Sequence, residues 1–279
     1  MEFKHKTGGA LLLRIVIAAF SAVLLFQSAA NSAPTSATTT APESPAVSNA
    51  TPDTSQTSPT HAAVLQPFTA TYKAEFSGFG VTAERKLTGT PESWRLDFSA
   101  NSMFAKIEEY SRFAQQAGRL VPLHYDYKKT GLGKDRHTAL SFESTQRRVI
   151  NVYDKDHTIE SAPKDIQDKI SYQLQLALDV AAGKKELKYD VADGKKIRHY
   201  EFRVTGTEKI DTPMGSVETI KVQRVRAQDS ERVTNIWFAP QWNYALVKLQ
   251  QQEDNGKSYQ ITLTKLSIDG KAVSLKKSQ

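Results

Sequence analysis

The chain contains no cysteine in 279 residues. That excludes disulfides, thiolate metal sites, a cysteine nucleophile and a lipid-bearing cysteine behind an export leader. It also lacks the spaced patterns of common hydrolases: there is no Gly-x-Ser-x-Gly elbow, Ser-x-x-Lys, His-Glu-x-x-His or Asp-rich calcium loop. Gly131-Leu132-Gly133-Lys134 has no Ser or Thr after the lysine and leads into a strand pattern, so it reads as a strand connection rather than a phosphate cradle. His124, His137, His157 and His199 fall on separate segments, whereas a metal site needs three or four converging ligands. Glu108 and Glu109 are adjacent on one strand and point to opposite faces, so they are not a catalytic pair by themselves. Neither a metal nor a cofactor is expected.

What is present divides into three parts. In residues 1–30, Lys4, Lys6 and Arg14 precede the apolar run Ile15 to Phe26, followed by the small residues Ser28, Ala29 and Ala30. This is the order of a secretory signal, with cleavage expected after Ala30. The run is about twelve residues, short of the roughly twenty of a spanning helix; an uncleaved anchor would need Ala10 to Leu13 as well. In residues 31–63, 26 of 33 residues are Ala, Ser, Thr or Pro and Val47 is the one large aliphatic side chain. Such a segment cannot offset its ordering entropy by burial and is expected to be a disordered spacer.

Residues 64–279 read as a single domain, holding all ten Tyr, all three Trp and nine of the twelve Phe. The dominant period is two: Phe68, Ala70, Tyr72, Ala74 and Phe76 alternate with Thr69, Thr71, Lys73 and Glu75. Comparable stretches cover residues 94–98, 106–114, 120–128, 136–142, 147–153, 187–192, 195–204, 217–225, 232–238, 245–251 and 258–268. Asp193-Gly194 and Asn255-Gly256 suit tight hairpin turns, and Thr212-Pro213-Met214-Gly215 is a third turn. Short connections make neighbouring strands antiparallel. The expected fold is mainly β: a curved antiparallel sheet or incomplete barrel in meander order, with one packed amphipathic helix.

That helix is expected over Asp165 to Ala182. Ile166, Ile170, Leu174, Ala177, Leu178 and Ala181 recur at three and four, Gly183 is a C-terminal cap, and Asp168, Lys169, Gln173, Gln175 and Asp179 form the polar face. The stripe is expected to cover the concave face or open end of the sheet.

Charge adds little. Lys4, Lys6 and Arg14 balance Glu2, Glu43 and Asp53 before residue 64, so the domain carries the whole net charge of +7. Lys128-Lys129, Arg147-Arg148, Lys184-Lys185, Lys195-Lys196-x-Arg198 and Arg224-x-Arg226 can be read as a basic rim for lipid phosphates, or as ordinary solvated strand faces, since acids are interspersed. Export rather than charge argues against nucleic acid as a partner.

Three segments, Asp168 to Asp179 (DKISYQLQLALD), Thr212 to Val222 (TPMGSVETIKV) and Ile236 to Leu249 (IWFAPQWNYALVKL), together resemble a family of exported Gram-negative proteins catalogued as a domain of unknown function. The resemblance runs from about Pro67 to Ile268 and implies an envelope-located β protein with one helix and no catalytic residues to carry over; the family often has Pro near Ala245. Trp237, Trp242 and Tyr244 surround Pro240, which ends a strand, and read as packing around a corner, with a ligand platform as the sharper alternative. With Leu174 and Leu178 they are the candidate ligand-binding residues.

The expected function is a non-enzymatic periplasmic binding or assembly module that takes an apolar ligand or an envelope component, contacting the membrane only if the leader is retained. The alternative is a hydrolase of envelope glycan or lipid using dispersed carboxylates. N-terminal sequencing of protein recovered from the periplasm should begin near Asn31; a chain beginning at Met1 would replace cleavage by anchoring, and absence from the envelope would remove both.

Overall fold

The computed structural model describes residues 63–274 except 77–78, 103–104, 132, 228–229 and 255–257. The expected leader, nearly all of the spacer and the Asn255-Gly256 turn lie outside the described residues. In chain order the elements are β1 (Phe68–Phe76), β2 (Phe79–Thr90), β3 (Ser93–Asn101), β4 (Ala105–Gln116), β5 (Arg119–Gly131), β6 (Arg136–Glu143), β7 (Arg148–Asn151), α1 (Ser171–Ala181), β8 (Leu187–Ala192), β9 (Ile197–Thr212), β10 (Gly215–Val225), β11 (Val233–Ala239), β12 (Ala245–Gln252), β13 (Ser258–Ile268) and β14 (Lys271–Ala272).

The strands form one antiparallel sheet in the order β7-β6-β5-β4-β3-β2-β1-β13-β12-β11-β10-β9-β8, with β14 added to β13. Two meanders, β1 to β7 and β8 to β13, are joined where β1 meets β13. The register shifts between Thr71 and Tyr72, Arg112 and Phe113, Lys221 and Val222, and Trp237 and Phe238. Irregularities of this kind sharpen twist and curl, and the sheet becomes a nearly closed barrel. Leu87, Leu96, Phe113, Leu120, Tyr125, Ile236 and Leu263 are among the side chains buried inside it. The strand β2 was not expected: Val81, Ala83, Arg85 and Leu87 all face inward, and a buried arginine in that series breaks the apolar pattern.

The sheet does not pair with itself between β7 and β8. Left open, those edges would present unpaired amides and carbonyls. The connection between them fills the gap. Val149 and Ile159 form an antiparallel bridge beside β7, and Gln167 and Val191 a parallel one beside β8. Gln167 N–H donates to Asp190 O at 2.8 Å, Ala192 N–H donates to Gln167 O at 2.9 Å, and the Gln167 side chain donates to Leu120 O at 2.9 Å.

At the other end of the seam, Asn151 Nδ2 donates to the carbonyl of Gly194 in the β8–β9 turn. Gly194 has φ of +95°, and a Cβ there would lie 2.7 Å from Thr138 Cγ2 of β6, so any other residue would be strained and Thr138 would have to shift.

The same turn is held by Asp193. One carboxylate oxygen accepts from the amides of Lys195 and Lys196, the other from Arg198 Nε at 2.6 Å. Burial works to raise its pKa, but these hydrogen bonds together hold it below the ordinary aspartate value. A carboxylate ionised more readily in the folded than in the unfolded chain contributes stability above the unfolded value, which is lost as pH falls through the folded one. Asp193→Asn should therefore cost about 1–3 kcal/mol at pH 7 in urea unfolding, with the gap from wild type narrowing below about pH 3.9.

Candidate functional site

The helix begins later than its periodicity suggests, and the reason is local. Residues before Ser171 are drawn into the seam beside β8, and Asp168 turns the chain. Asp168 Oδ1 accepts from the amides of Ile170 at 3.0 Å and Ser171 at 2.8 Å, while Ser171 Oγ accepts from Asp168 N–H at 2.9 Å. This reciprocal exchange satisfies amides that a helix start leaves open. Ser111 of β4 donates to the other oxygen of Asp168 at 2.5 Å, tying the helix start to the barrel wall. At the far end Gly183, with φ of +67°, donates to Val180 O and Lys184 N–H donates to Asp179 O, a Schellman closure. The helix thus covers Ser171–Ala181 rather than Asp165 to Ala182.

The expected polar face is also corrected. Asp168, Gln173, Gln175 and Asp179 are at most 3% exposed, because α1 sits within the barrel rather than across it. Their polarity is used internally. Gln175 accepts from Leu120 N–H at 2.7 Å and donates to Asp179; Asp179 accepts from Tyr189 at 2.9 Å and pairs with Arg119 at 3.3 Å. Tyr172 packs on Tyr200 and Phe202 of β9, with ring centroids 5.2 and 6.1 Å away.

The half-buried side chains of α1 are Leu174 and Leu178, and they face a recess. Its opposite wall is Phe68, Ala70 and Tyr72 of β1, Leu87 of β2, and Leu266 and Ile268 of β13; Trp242 and Tyr244 of the β11–β12 corner close one end. The recess has about 600 Å³ of empty space, its open mouth included, around an inner cavity of about 50 Å³. At that corner Asn243 and Tyr244 both adopt positive φ, 53° and 57°, a costly conformation for an aromatic residue. Asn243 makes two hydrogen bonds with the backbone of Val64, holding the start of the described chain beside the mouth.

The lining is mainly apolar, with Gln66, Tyr72, Arg85, Gln173 and Asn243 as its polar members besides Tyr244. Tyr72 donates to Leu246 O at 3.1 Å; burial raises its pKa, and a hydrogen bond and charge from Arg85 oppose this. A second interior region is polar. Tyr125 donates a hydrogen bond to Glu109, and burial together with that carboxylate pushes the phenol well above its ordinary pKa. Burial raises Asp168 despite its hydrogen bonds, and lowers Lys169, whose Nζ lies 5.5 Å over the Tyr127 ring. Among the described residues no three His, Asp or Glu side chains are grouped as metal ligands.

A family of proteins of unknown function, DUF3108, matches residues 68–264, from β1 into β13. The chain belongs to that family. No curated protein matches the chain. Among solved structures, the DUF3108 chain is similar to a β-barrel-like protein of the domain of unknown function DUF1849 from Brucella abortus, at 15% identity and a TM-score of 0.50 over 74% of this chain and 99% of that one. That likeness concerns the fold alone. A DUF1329 family protein from Desulfovibrio piger aligns at 12% identity over 78% of this chain and 89% of that one, with a TM-score of 0.27, too low to bear on the comparison.

Within this DUF3108 chain, Leu174, Leu178, Trp242 and Tyr244 come together at the recess. Trp237 does not join them. It points to the other sheet face from Ile236, donating to Glu208 at 3.0 Å between the ammonium groups of Lys221 and Lys248. Arg85 and Tyr72 escaped sequence reasoning as site residues; the period-two spacing of Arg85 with Val81, Ala83 and Leu87 was the available signal. Removing the helix cap by Asp168→Ala leaves Ser111 and two amides without their acceptor. Denaturant unfolding should show a loss of about 1–3 kcal/mol.

Proposed function

We propose that this DUF3108 protein is an exported, non-enzymatic binding module that holds an apolar ligand between α1 and the barrel wall. The observation that carries this reading is the recess itself, where Leu174 and Leu178 oppose Phe68, Leu266, Trp242 and Tyr244 across open space. Apolar concavities with a few polar groups are the usual form of small-ligand sites. The inner cavity of about 50 Å³ holds no more than a few waters, so a larger occupant displaces the helix side chains facing it. Leu174 and Leu178, the least buried side chains of α1, are the ones positioned to yield. The basic, apolar, small-residue order of residues 1–30 supports export to the periplasm.

The buried carboxylates support this reading over hydrolysis. Both oxygens of Asp168 are occupied in capping the helix and binding Ser111, and Glu109 accepts from Tyr125. These bonds hold the acids in structural roles. The test uses the fluorescent apolar probe N-phenyl-1-naphthylamine with wild type and Leu178→Trp, which adds volume to the recess. Wild type should bind saturably, and the filled variant at least tenfold more weakly with unchanged circular dichroism. Equal binding by both would make the recess mere packing, and no binding by wild type would remove the proposal.

A further inference from the structure

Beyond the recess the barrel carries two arginines, Arg224 and Arg226, that have no ion pair among the described residues. Arg224 of β10 pairs in register with Phe202 of β9, and its guanidinium carbon lies 4.1 Å over the Tyr200 ring. Its Nε and Nη1 are buried without a hydrogen-bond partner among the described residues. Arg226 donates to Thr234 Oγ1 at 3.0 Å, while its buried Nε has no such partner. Arg232 pairs with Glu253 at 2.6 Å, and Arg198 with Asp193 at 2.6 Å. Arg224 and Arg226 have no ion pair among the described residues.

Like charges gathered out of water oppose folding, and removing such a group commonly stabilises a protein. Burial, then Arg224 and Arg232, draw the pKa of Arg226 down, with Glu253 and Tyr200 opposing; it stays cationic at neutral pH. Arg224 is likewise drawn down by burial. Both residues are half-buried, so part of each side chain is open to solvent while the partnerless nitrogens are covered. Guanidinium forks match the several oxygens of a phosphate, which can be shared among neighbouring arginines.

We propose that Arg224 and Arg226, flanked by Arg232, form an anion site in the barrel that takes a phosphate group, free or on a lipid head. Neither Arg224 nor Arg226 lines the recess, and the site does not depend on the recess holding an apolar ligand. Titration calorimetry at low salt with inorganic phosphate, and separately with a short-chain phosphatidylglycerol below its micelle concentration, should show saturable binding of at least one. Phosphate binding identifies the free anion as sufficient; binding of the lipid alone identifies the head group as the source.

Arg224→Met should weaken that binding at least tenfold while its melting temperature stays level or rises, since a half-buried cation with no ion pair among the described residues is gone. An arginine needed only for structure would lower the melting temperature instead. If Arg224→Met fails to fold, Arg226→Met supplies the same comparison. Absence of binding by wild type to both probes, or binding by the folded variant equal to wild type, would overturn the proposal.

Discussion

The arrangement depends on the two sheet edges, β7 and β8, that approach without pairing to each other. An antiparallel sheet that curls this far must satisfy the backbone groups along its seam. The connection from β7 to β8 does so by bridging Ile159 to Val149 and Gln167 to Val191. Because the same connection then becomes α1, the seam also determines where the helix starts and against which strands it lies.

Enclosure changes what the helix has to be. A helix lying on the outside of a sheet needs one apolar stripe; α1 is surrounded, so its glutamines and aspartates must find partners inside. Gln175 and Asp179 find them at Leu120, Tyr189 and Arg119, and Asp168 at Ser111. These bonds hold one side of α1, while Leu174 and Leu178 on another side face the recess. The interior is consequently uneven: mainly apolar around the recess, apart from Arg85 and a few polar neighbours, and richer in carboxylate elsewhere.

Membership in DUF3108 and the likeness to the DUF1849 barrel agree with this architecture, and leave the function to be read from the sites. The recess and the arginine group are chemically different, and neither Arg224 nor Arg226 lines the recess. The first is lined mainly by hydrocarbon; the second has N–H groups without a hydrogen-bond partner among the described residues.

The sequence by itself determined the class of fold, because period-two alternation is a local consequence of strand geometry and short turns force antiparallel neighbours. It also singled out Leu174, Leu178, Trp242 and Tyr244, whose apolar bulk stands out in any reading. It was silent on β2, where Arg85 interrupts the apolar series, and it misjudged the start and polar face of α1. Those features rest on partners far along the chain: Gln167 is claimed by β8, Asp168 by Ser111, Gln175 by Leu120. Trp237 parted from the other aromatics because strand alternation sends it to the opposite face from Ile236. Only the tertiary structure decided these matters, since whether a polar side chain meets water or a distant hydrogen-bond partner is set by how the sheet closes, not by its neighbours in sequence.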